Sequence, residues 1–410
     1  MLIATLRSEP RFARWVLAEG VSMLGTATAT VLLPVLVFDL TGSASLTGLV
    51  FATRLAPYLL LGWVAGPIAD RVNRRRLIIG GNVVEGLLAI TIPIAAWLDV
   101  LSAAQVFVVA LLSATAFVFS DAANFGAVPA LVSDDRLPAA NGVLATLASV
   151  ADIGGPVLAG VLIATIGPAG ALTFDAMTFL FAAAVQLTVR SDLRRSGVVH
   201  AGSVRAQLGA AWSFIRRRRA VLILIVAGFC NSLAIGCVLG LLVPWSVEAL
   251  GYDTDDARLG VLYAAVGIGS LLAAIAFPRL FTVERVGMLT PASLAWSCVA
   301  VVALLSVPGE VAGLAVVAYA AGIMTTITTG ITYRQLVTPD ELTSTVNTIG
   351  RLIAAGGQPL GAALAAVTVA ATSLTTAYLA AAALLGLTAL GAGLAFRSLG
   401  HDDHTSATDG

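Results

Sequence analysis

Charged residues stand inside long apolar stretches of this sequence, where a charge needs a partner or a function. The clearest two are Arg54 and Asp152. A charge at the centre of a bilayer costs about 2.5–3.5 kcal/mol on insertion scales. At about 1.5 Å of rise per helical residue, their predicted depths differ by about 5 Å, which an arginine side chain can span. We therefore predict an Arg54–Asp152 pair whose carboxylate exchanges protons. A static ion pair that only holds two helices together is the alternative.

Three more charged residues lie within apolar stretches. Glu19 and Glu85 stand nearer one end of theirs, so both side chains could reach the polar boundary by snorkelling. Arg351 could contact an anionic substrate, serve a gate or simply pack against its neighbours. The candidates for proton coupling are therefore Asp152, Arg54, Glu19 and Glu85.

The composition explains why such charges are exceptional. Hydrophobic residues make up 58% of the 410 residues and charged residues 11%, whereas soluble domains have about 45–50% and about 25%. No soluble core of this size could hide so much apolar surface, so the surrounding solvent must be lipid. The run Arg216–Arg219 is predicted to touch anionic lipid rather than nucleic acid.

Twelve stretches are long and apolar enough to cross a membrane, since a spanning helix needs about 20 mostly apolar residues. In the first half they are 14–38, 44–68, 77–97, 104–130, 139–166 and 169–189. In the second half they are 220–248, 258–277, 287–307, 311–332, 343–369 and 374–396. Asp175, near the outer end of the sixth stretch, is predicted to be structural.

The distribution of arginine predicts the topology. Apart from Arg54 and Arg351, which lie inside apolar stretches, every arginine except Arg258 is in or next to a segment on the N-terminal side of the membrane. Under the positive-inside rule, this bias places both termini in the cytoplasm. We expect a multi-pass protein of the bacterial inner membrane.

The two halves of the chain resemble each other. The segment Leu131–Leu137 between stretches 4 and 5 recurs as Leu336–Leu342 between stretches 10 and 11, and Gly155-Pro156 is echoed by Gln358-Pro359. Such parallel repeats are typical of transporters whose site lies between two rocking halves. The predicted organisation is a six-helix bundle over 1–189, a cytoplasmic loop over 190–219, a second six-helix bundle over 220–396 and a cytoplasmic tail over 397–410.

The segment after the second stretch carries the most specific motif. It contains Gly66, Asp70, Arg71, Arg74 and Arg75 in a Gly-x-x-x-Asp-Arg-x-x-Arg-Arg pattern. This pattern resembles the loop between helices 2 and 3 of the major facilitator superfamily, although Asn73 replaces the usual Gly. The resemblance implies a cytoplasmic latch between the halves, in which the arginines pair with an acid low on helix 4. Asp121 is the candidate acid, and Gly66 is expected to let a neighbouring helix approach closely.

The fifth stretch carries a second motif. Gly155, Pro156 and Gly160 resemble the Gly-Pro-x-x-Gly-Gly signature of antiporters, with Ala159 in place of one Gly. Pro156 removes a backbone hydrogen bond and the glycines permit close packing, which suits a helix that must shift. Further stretches, among them Leu40–Ser43, resemble the drug:proton antiporter branch that includes macrolide-efflux and enterobactin-export proteins.

This resemblance implies an all-α membrane protein with twelve transmembrane helices in two pseudo-symmetric six-helix bundles, the major facilitator fold. Its central cavity would be lined by helices 1, 4, 7 and 10, which makes Glu19 a better cavity candidate than Glu85. The remaining expected contacts of the substrate are Arg351, Asn231, Trp245, Tyr319, Thr325 and Thr329.

The predicted function is secondary transport, with protons exchanged for an amphipathic drug, antibiotic or siderophore. A proton-symport importer and a non-transporting scaffold or sensor are the alternatives. Without lysine the chain has no phosphate-binding loop of the Gly-x-x-x-x-Gly-Lys-Ser/Thr type, so it cannot drive transport with ATP by itself. We expect no enzymatic activity, no cofactor, no metal site and no nucleic-acid partner. The expected partners are a small-molecule substrate, protons and membrane lipid, and the expected state is a monomer.

Overall fold

The computed structural model describes residues 9–133, 136–189, 204–306 and 308–406. Within these ranges, eleven helices are long and apolar enough to cross a membrane. One of them, Leu137–Thr188, covers the fifth and sixth predicted stretches. Gly167 interrupts this helix with non-helical angles (φ 72°, ψ 165°), at the point where the two predicted stretches meet. The part before Gly167 is named α5 and the part after it α6, so the described helices fit the twelve predicted spans.

The membrane helices are numbered in chain order. In the first half they are α1 (Pro10–Thr41), α2 (Ala44–Arg71), α3 (Arg74–Trp97), α4 (Ala103–Leu131), and α5 and α6 within Leu137–Thr188. In the second half they are α7 (Arg219–Gly240), α8 (Arg258–Leu280), α9 (Val286–Leu304), α10 (Gly309–Val337), α11 (Asp340–Ala371) and α12 (Leu374–Ser406).

Three shorter helices accompany the membrane helices. The juxtamembrane helix Val204–Arg217 lies in the predicted central loop, Leu242–Leu250 continues α7 after a turn, and the 3₁₀ helix Val283–Arg285 precedes α9. In addition, α12 continues past its predicted end at residue 396. Apolar periodicity locates the part of a helix that faces lipid, but it does not show how far the helix extends into water.

Local sequence explains several helix ends. Gly42 ends α1 in the left-handed conformation (φ 58°), where glycine is favoured, and the Ser43 side chain then accepts a hydrogen bond from the Leu46 amide at the start of α2. Asn73 caps α3 in the same way by accepting from the Arg76 amide. This gives the departure from the family pattern at Asn73 a local structural reason.

The chain divides into two compact units. The first unit consists of residues 1–198 together with Ser246–Ala264. The second unit consists of residues 199–245 together with residues 265–410. In the first unit, Phe12 and Trp15 of α1 are fully buried in a cluster with residues of α3, α4 and α5. In the second, Ala211 and Ile215 of the juxtamembrane helix pack with residues of α7 and α11.

Arg258 is the one arginine predicted to lie in an outer loop. Its Nε donates to Asp256 Oδ2 at 2.7 Å, and its guanidinium lies 4.1 Å from the centre of the Tyr252 ring. Hydrogen bonding from Arg258 lowers the pKa of the Asp256 carboxyl. The positive charge is therefore compensated locally, within the first unit.

Candidate functional site

A chain of hydrogen-bonded polar side chains crosses the interior of the first unit. Gln186 of α6 donates through Nε2 to Glu19 Oε1 of α1 at 2.8 Å, and it accepts at Oε1 from Asn82 Nδ2 of α3 at 2.8 Å. All three side chains are buried. Because an amide has both a donor and an acceptor, Gln186 satisfies its two neighbours at once. Asn124 and Asp121 of α4 also face the Glu19 carboxyl.

Arg54 lies next to a second group of acids in the same unit. Its guanidinium is within electrostatic range of Asp175, Tyr263 and Glu85. Asp175 and Glu85 are 5% and 4% exposed, so neither reaches solvent. Asp175 Oδ1 has no hydrogen-bond partner. Arg54 thus lies between buried carboxyl groups without being within ion-pair distance of any described acid.

Gly25 permits the close packing around Asp175. A Cβ atom at this position would collide with the Thr178 hydroxyl and would lie 2.9 Å from Asp175 Oδ1. Only glycine therefore allows α1 to approach this face of α6, since no side chain fits between them. The glycine brings the Asp175 carboxyl against a backbone rather than against another side chain.

The predicted pair of Arg54 and Asp152 is wrong. Asp152 is exposed on α5, and no described basic side chain acts on its carboxyl. Counting residues along two helices compares their depths but not the directions in which side chains point. The predicted depths of the two residues are similar, but Arg54 faces α3, α6 and Tyr263. The expected snorkelling of Glu19 and Glu85 is also wrong, because both carboxyl groups are buried.

Asp121 has a different partner from the one that the resemblance implied. The Tyr58 hydroxyl of α2 donates to Asp121 Oδ2 at 2.6 Å, and no described arginine lies within ion-pair distance of this carboxyl. Arg75 instead donates to the end of α6, from Nε to the Val189 carbonyl (3.0 Å) and from Nη2 to the Leu187 carbonyl (2.7 Å). The arginine thus satisfies carbonyl groups that a helix end leaves without partners.

The other residues of this motif differ in their surroundings. Gly66 has open space among the described residues where a Cβ would stand, so the expected close approach of a neighbouring helix stays a prediction. Arg71 is exposed, and Arg74 is half-buried at the start of α3. The side chain of Asp70 lies outside the described residues, so its predicted role as part of the latch stays a prediction.

The glycines of the fifth stretch do allow close packing. A Cβ at Gly155 would collide with Ala27 of α1, and one at Gly160 would collide with the Ala257 carbonyl. Gly260 of α8 lies equally close to the Pro156 carbonyl, because a Cβ there would overlap it. Small residues at these positions let three backbones meet without intervening side chains.

The second unit holds the predicted substrate contacts. Asn231, Trp245, Tyr319 and Thr329 are almost completely buried, and Thr325 is half-buried. Three of their polar atoms have no hydrogen-bond partner: Asn231 Oδ1, Trp245 Nε1 and the Tyr319 hydroxyl. Buried polar atoms are nearly always paired, so such a group of exceptions requires an explanation. Arg351 of α11 is exposed.

Arg334 follows the tenth apolar stretch in the sequence, where a loop is predicted, but the structure buries it. Its side chain is 4% exposed in the last turn of α10, and Nε lies 3.4 Å from Asn347 Oδ1 of α11. Gly350 leaves space for the guanidinium, because a Cβ there would lie 2.9 Å from Nε. Sequence position alone could not distinguish a buried arginine at a helix end from an exposed one.

Sequence reasoning also missed Gln186 and Tyr58 and assigned Asp175 only a structural role. A signal was present, because each is a polar residue within an apolar stretch. Uncharged polar residues are common in membrane helices, however, and they make such a signal weak.

Comparisons with known proteins agree with this arrangement of helices. Residues 3–408 match the family model of the transmembrane secretion effectors, MFS_3. The chain therefore belongs to this family of the major facilitator superfamily. It is a multi-pass membrane protein of a family of transporters.

Two relatives indicate what proteins of similar sequence do. The multidrug efflux pump Tap of Mycobacterium tuberculosis is 30% identical over 178 residues, which cover 40% of this chain and 41% of Tap. The match therefore spans less than half of that relative. The enterobactin exporter EntS of Salmonella typhimurium is 26% identical over 371 residues, which cover 88% of this chain and 86% of EntS.

Two solved structures share the fold. One is a bacterial homologue of the human lysosomal transporter Spinster, in an inward-facing and occupied conformation, with a TM-score of 0.75 and 14% identity over 94% of this chain and 96% of that chain. The other is the nucleoside transporter NupG, with a TM-score of 0.71 and 14% identity over 94% and 99%. At these identities the likeness shows the fold alone, which is the predicted major facilitator fold.

Proposed function

We propose that the chain exports an amphipathic small molecule in exchange for protons. Family membership supports transport, and the names of Tap and EntS, a multidrug efflux pump and an enterobactin exporter, support export of a drug or a siderophore. Both termini are proposed to lie in the cytoplasm of a bacterial inner-membrane protein, as the arginine distribution predicts.

The buried cluster in the first unit is the observation that carries proton coupling. Four acids lie in this cluster: Glu19, Glu85, Asp121 and Asp175. Arg54 is the one described basic side chain that acts on Glu85 and Asp175, and no described basic side chain acts on Glu19. A buried carboxylate without a compensating charge is strongly unfavourable. An excess of carboxyl groups over cations therefore favours proton binding, and a change in access during transport would change how many protons the cluster holds.

Within this cluster, Glu19 is the proposed proton carrier. Its buried carboxyl accepts a hydrogen bond from Gln186 of another helix, so movement of either helix would change that hydrogen bond directly. Arg54 and Glu85 are proposed to tune its charge. Asp152, exposed on α5, stays a candidate for carrying a proton on its own.

In the second unit, the proposed substrate contacts are Asn231, Trp245 and Tyr319. Their unpaired atoms comprise one acceptor and two donors beside aromatic surface. Such a set suits a molecule with aromatic and polar parts, because a ligand could supply the missing hydrogen bonds. Arg351, Thr325 and Thr329 complete the proposed cavity.

The segment between α2 and α3 is the proposed cytoplasmic gate. Asp70, Arg71, Arg74 and Arg75 supply charges of both signs at one turn. The hydrogen bonds from Arg75 to the end of α6 would transmit a movement of this turn into the first unit.

Everted membrane vesicles would test the direction and the coupling together. We expect an imposed pH gradient, acidic inside, to drive accumulation of fluorescent amphipathic substrates, and Glu19→Gln to abolish this uphill transport while leaving downhill exchange. Glu248→Gln is the matched control, because Glu248 is exposed and outside the cluster. Accumulation in right-side-out vesicles instead would favour the importer, and unchanged uphill transport by Glu19→Gln would exclude Glu19 as the carrier.

A further inference from the structure

A long groove runs along the outer surface of the second unit between α9 and α12. Its volume is about 760 Å³, within the range of about 300–1,000 Å³ typical of small-molecule sites. Small residues form its floor, since a Cβ at Gly393 would stand 3.7 Å from Pro291 and one at Gly386 would stand 3.4 Å from Cys298. Its edges are exposed apolar side chains, among them Met288 and Leu394.

Charge is confined to one end of this groove. Glu284 precedes α9 and Arg397 lies in the last part of α12, and both side chains line the groove. The two helices meet between them, because Gly287 packs against Phe396. Residues four apart share an α-helix face, so Arg397 follows the face of Gly393, while Glu284 lines the groove from the 3₁₀ helix just before α9. Two opposite charges therefore stand at the end of an otherwise apolar channel.

The length of the groove matches one leaflet of a bilayer. From Gly287 to Val299 the lining residues of α9 extend over roughly 18 Å at 1.5 Å per residue. Half of a hydrocarbon core about 30 Å thick is about 15 Å. An acyl chain of one leaflet can therefore lie along the whole apolar part, with its headgroup at the charged end.

We propose that this groove is a binding site for one phospholipid with a zwitterionic amine headgroup, such as phosphatidylethanolamine. The Arg397 guanidinium would bind the phosphate, and the Glu284 carboxylate would accept hydrogen bonds from the ammonium group. A choline headgroup has no N–H to donate, and the carboxylate would repel a purely anionic headgroup. Lipid covers this face in any membrane. The proposal is therefore that the groove binds a lipid with this headgroup more tightly than it binds other lipids.

Lipid binding to the purified full-length protein, measured by native mass spectrometry, tests the proposal. The hydrogen bond from the ammonium group to the carboxylate should make phosphatidylethanolamine bind about tenfold more tightly than phosphatidylcholine or phosphatidylglycerol, which corresponds to about 1.4 kcal/mol. Glu284→Gln should remove the preference over phosphatidylcholine. Arg397→Gln should weaken the binding of both phosphatidylethanolamine and phosphatidylcholine by about tenfold. Equal affinity of the parent for all three lipids, or tighter binding of phosphatidylglycerol, would overturn the assignment.

Two matched controls separate the site from general effects. Arg279→Gln removes an exposed charge that neither lines the groove nor acts on Glu284, and it should change nothing. Gly393→Leu should fill the groove and abolish the preference, whereas Gly391→Leu points into open space outside it and should not. An equal loss of preference in Arg279→Gln or Gly391→Leu would contradict the site. Glu284→Gln keeps the side-chain volume and Arg397→Gln shortens an exposed side chain, so the test stands even if Gly393→Leu fails to fold.

Discussion

Replacing Arg54 with leucine removes the only described basic side chain that acts on Asp175 and Glu85. Breaking a buried charge pair on one side costs about 3–5 kcal/mol, because the remaining charge is left uncompensated. Arg54 is not in direct contact with a described acid, so the lower end applies, about 3 kcal/mol. We therefore expect Arg54→Leu to be less stable than the parent protein near neutral pH.

The deficit should depend on pH, and its sign follows from the chemistry of the remaining groups. Carboxyl groups that lose Arg54 can bind protons, and the free energy of doing so improves by about 1.4 kcal/mol for each unit by which pH falls. The stability of Arg54→Leu relative to the parent should therefore be lowest at pH 8 and should recover towards pH 5. The deficit of Asp175→Asn should not recover towards pH 5, because a guanidinium cannot release its proton. Among the described acids that act on Arg54, only Glu85 then remains.

Thermal unfolding of the detergent-purified proteins at pH 5 and pH 8 measures both effects. A loss of about 3 kcal/mol corresponds to a Tm lower by roughly 6–12 °C for a unit of this size. Arg351→Leu is the control, since it makes the same substitution at an exposed arginine of α11 and should leave Tm nearly unchanged. The reasoning is refuted if Arg54→Leu unfolds with the parent at pH 8, or if its deficit is equal at the two pH values.

Three further substitutions test other contacts. Gln186→Leu should cost about 1–3 kcal/mol of stability for each buried group left unpaired and should reduce uphill transport. The control Gln105→Leu removes a hydrogen bond at an exposed site and should do neither. Equal Tm values for the two variants would contradict the importance of the buried hydrogen bonds. Gly155→Ala should impair transport because its Cβ meets Ala27, and Gly154→Ala has room and should not; equal transport rates would exclude a role for the close approach. Asp70→Asn should lower transport at near-normal membrane abundance, and an unchanged rate per molecule in proteoliposomes would remove the gate.

The sequence by itself determined that the chain is a helical membrane protein and where most of its helices lie. Stretches of about 20 apolar residues have few alternatives to a spanning helix, because lipid cannot satisfy backbone hydrogen-bonding groups. The motif from Gly66 to Arg75 and the glycines around Pro156 were sufficient to indicate the superfamily, which the family match confirms. These features are local in the chain and can be read without knowing what they contact.

The tertiary structure alone decided which buried charges face each other. Arg54 and Asp152 have similar depths in the sequence, but the rotation of each helix about its axis places Arg54 towards Asp175 and Glu85. Gln186 was inconspicuous in the sequence, and it became the link between Glu19 and Asn82 only once three helices were packed. Depth follows from counting residues at a fixed rise, whereas the face that a side chain presents depends on how every neighbouring helix packs.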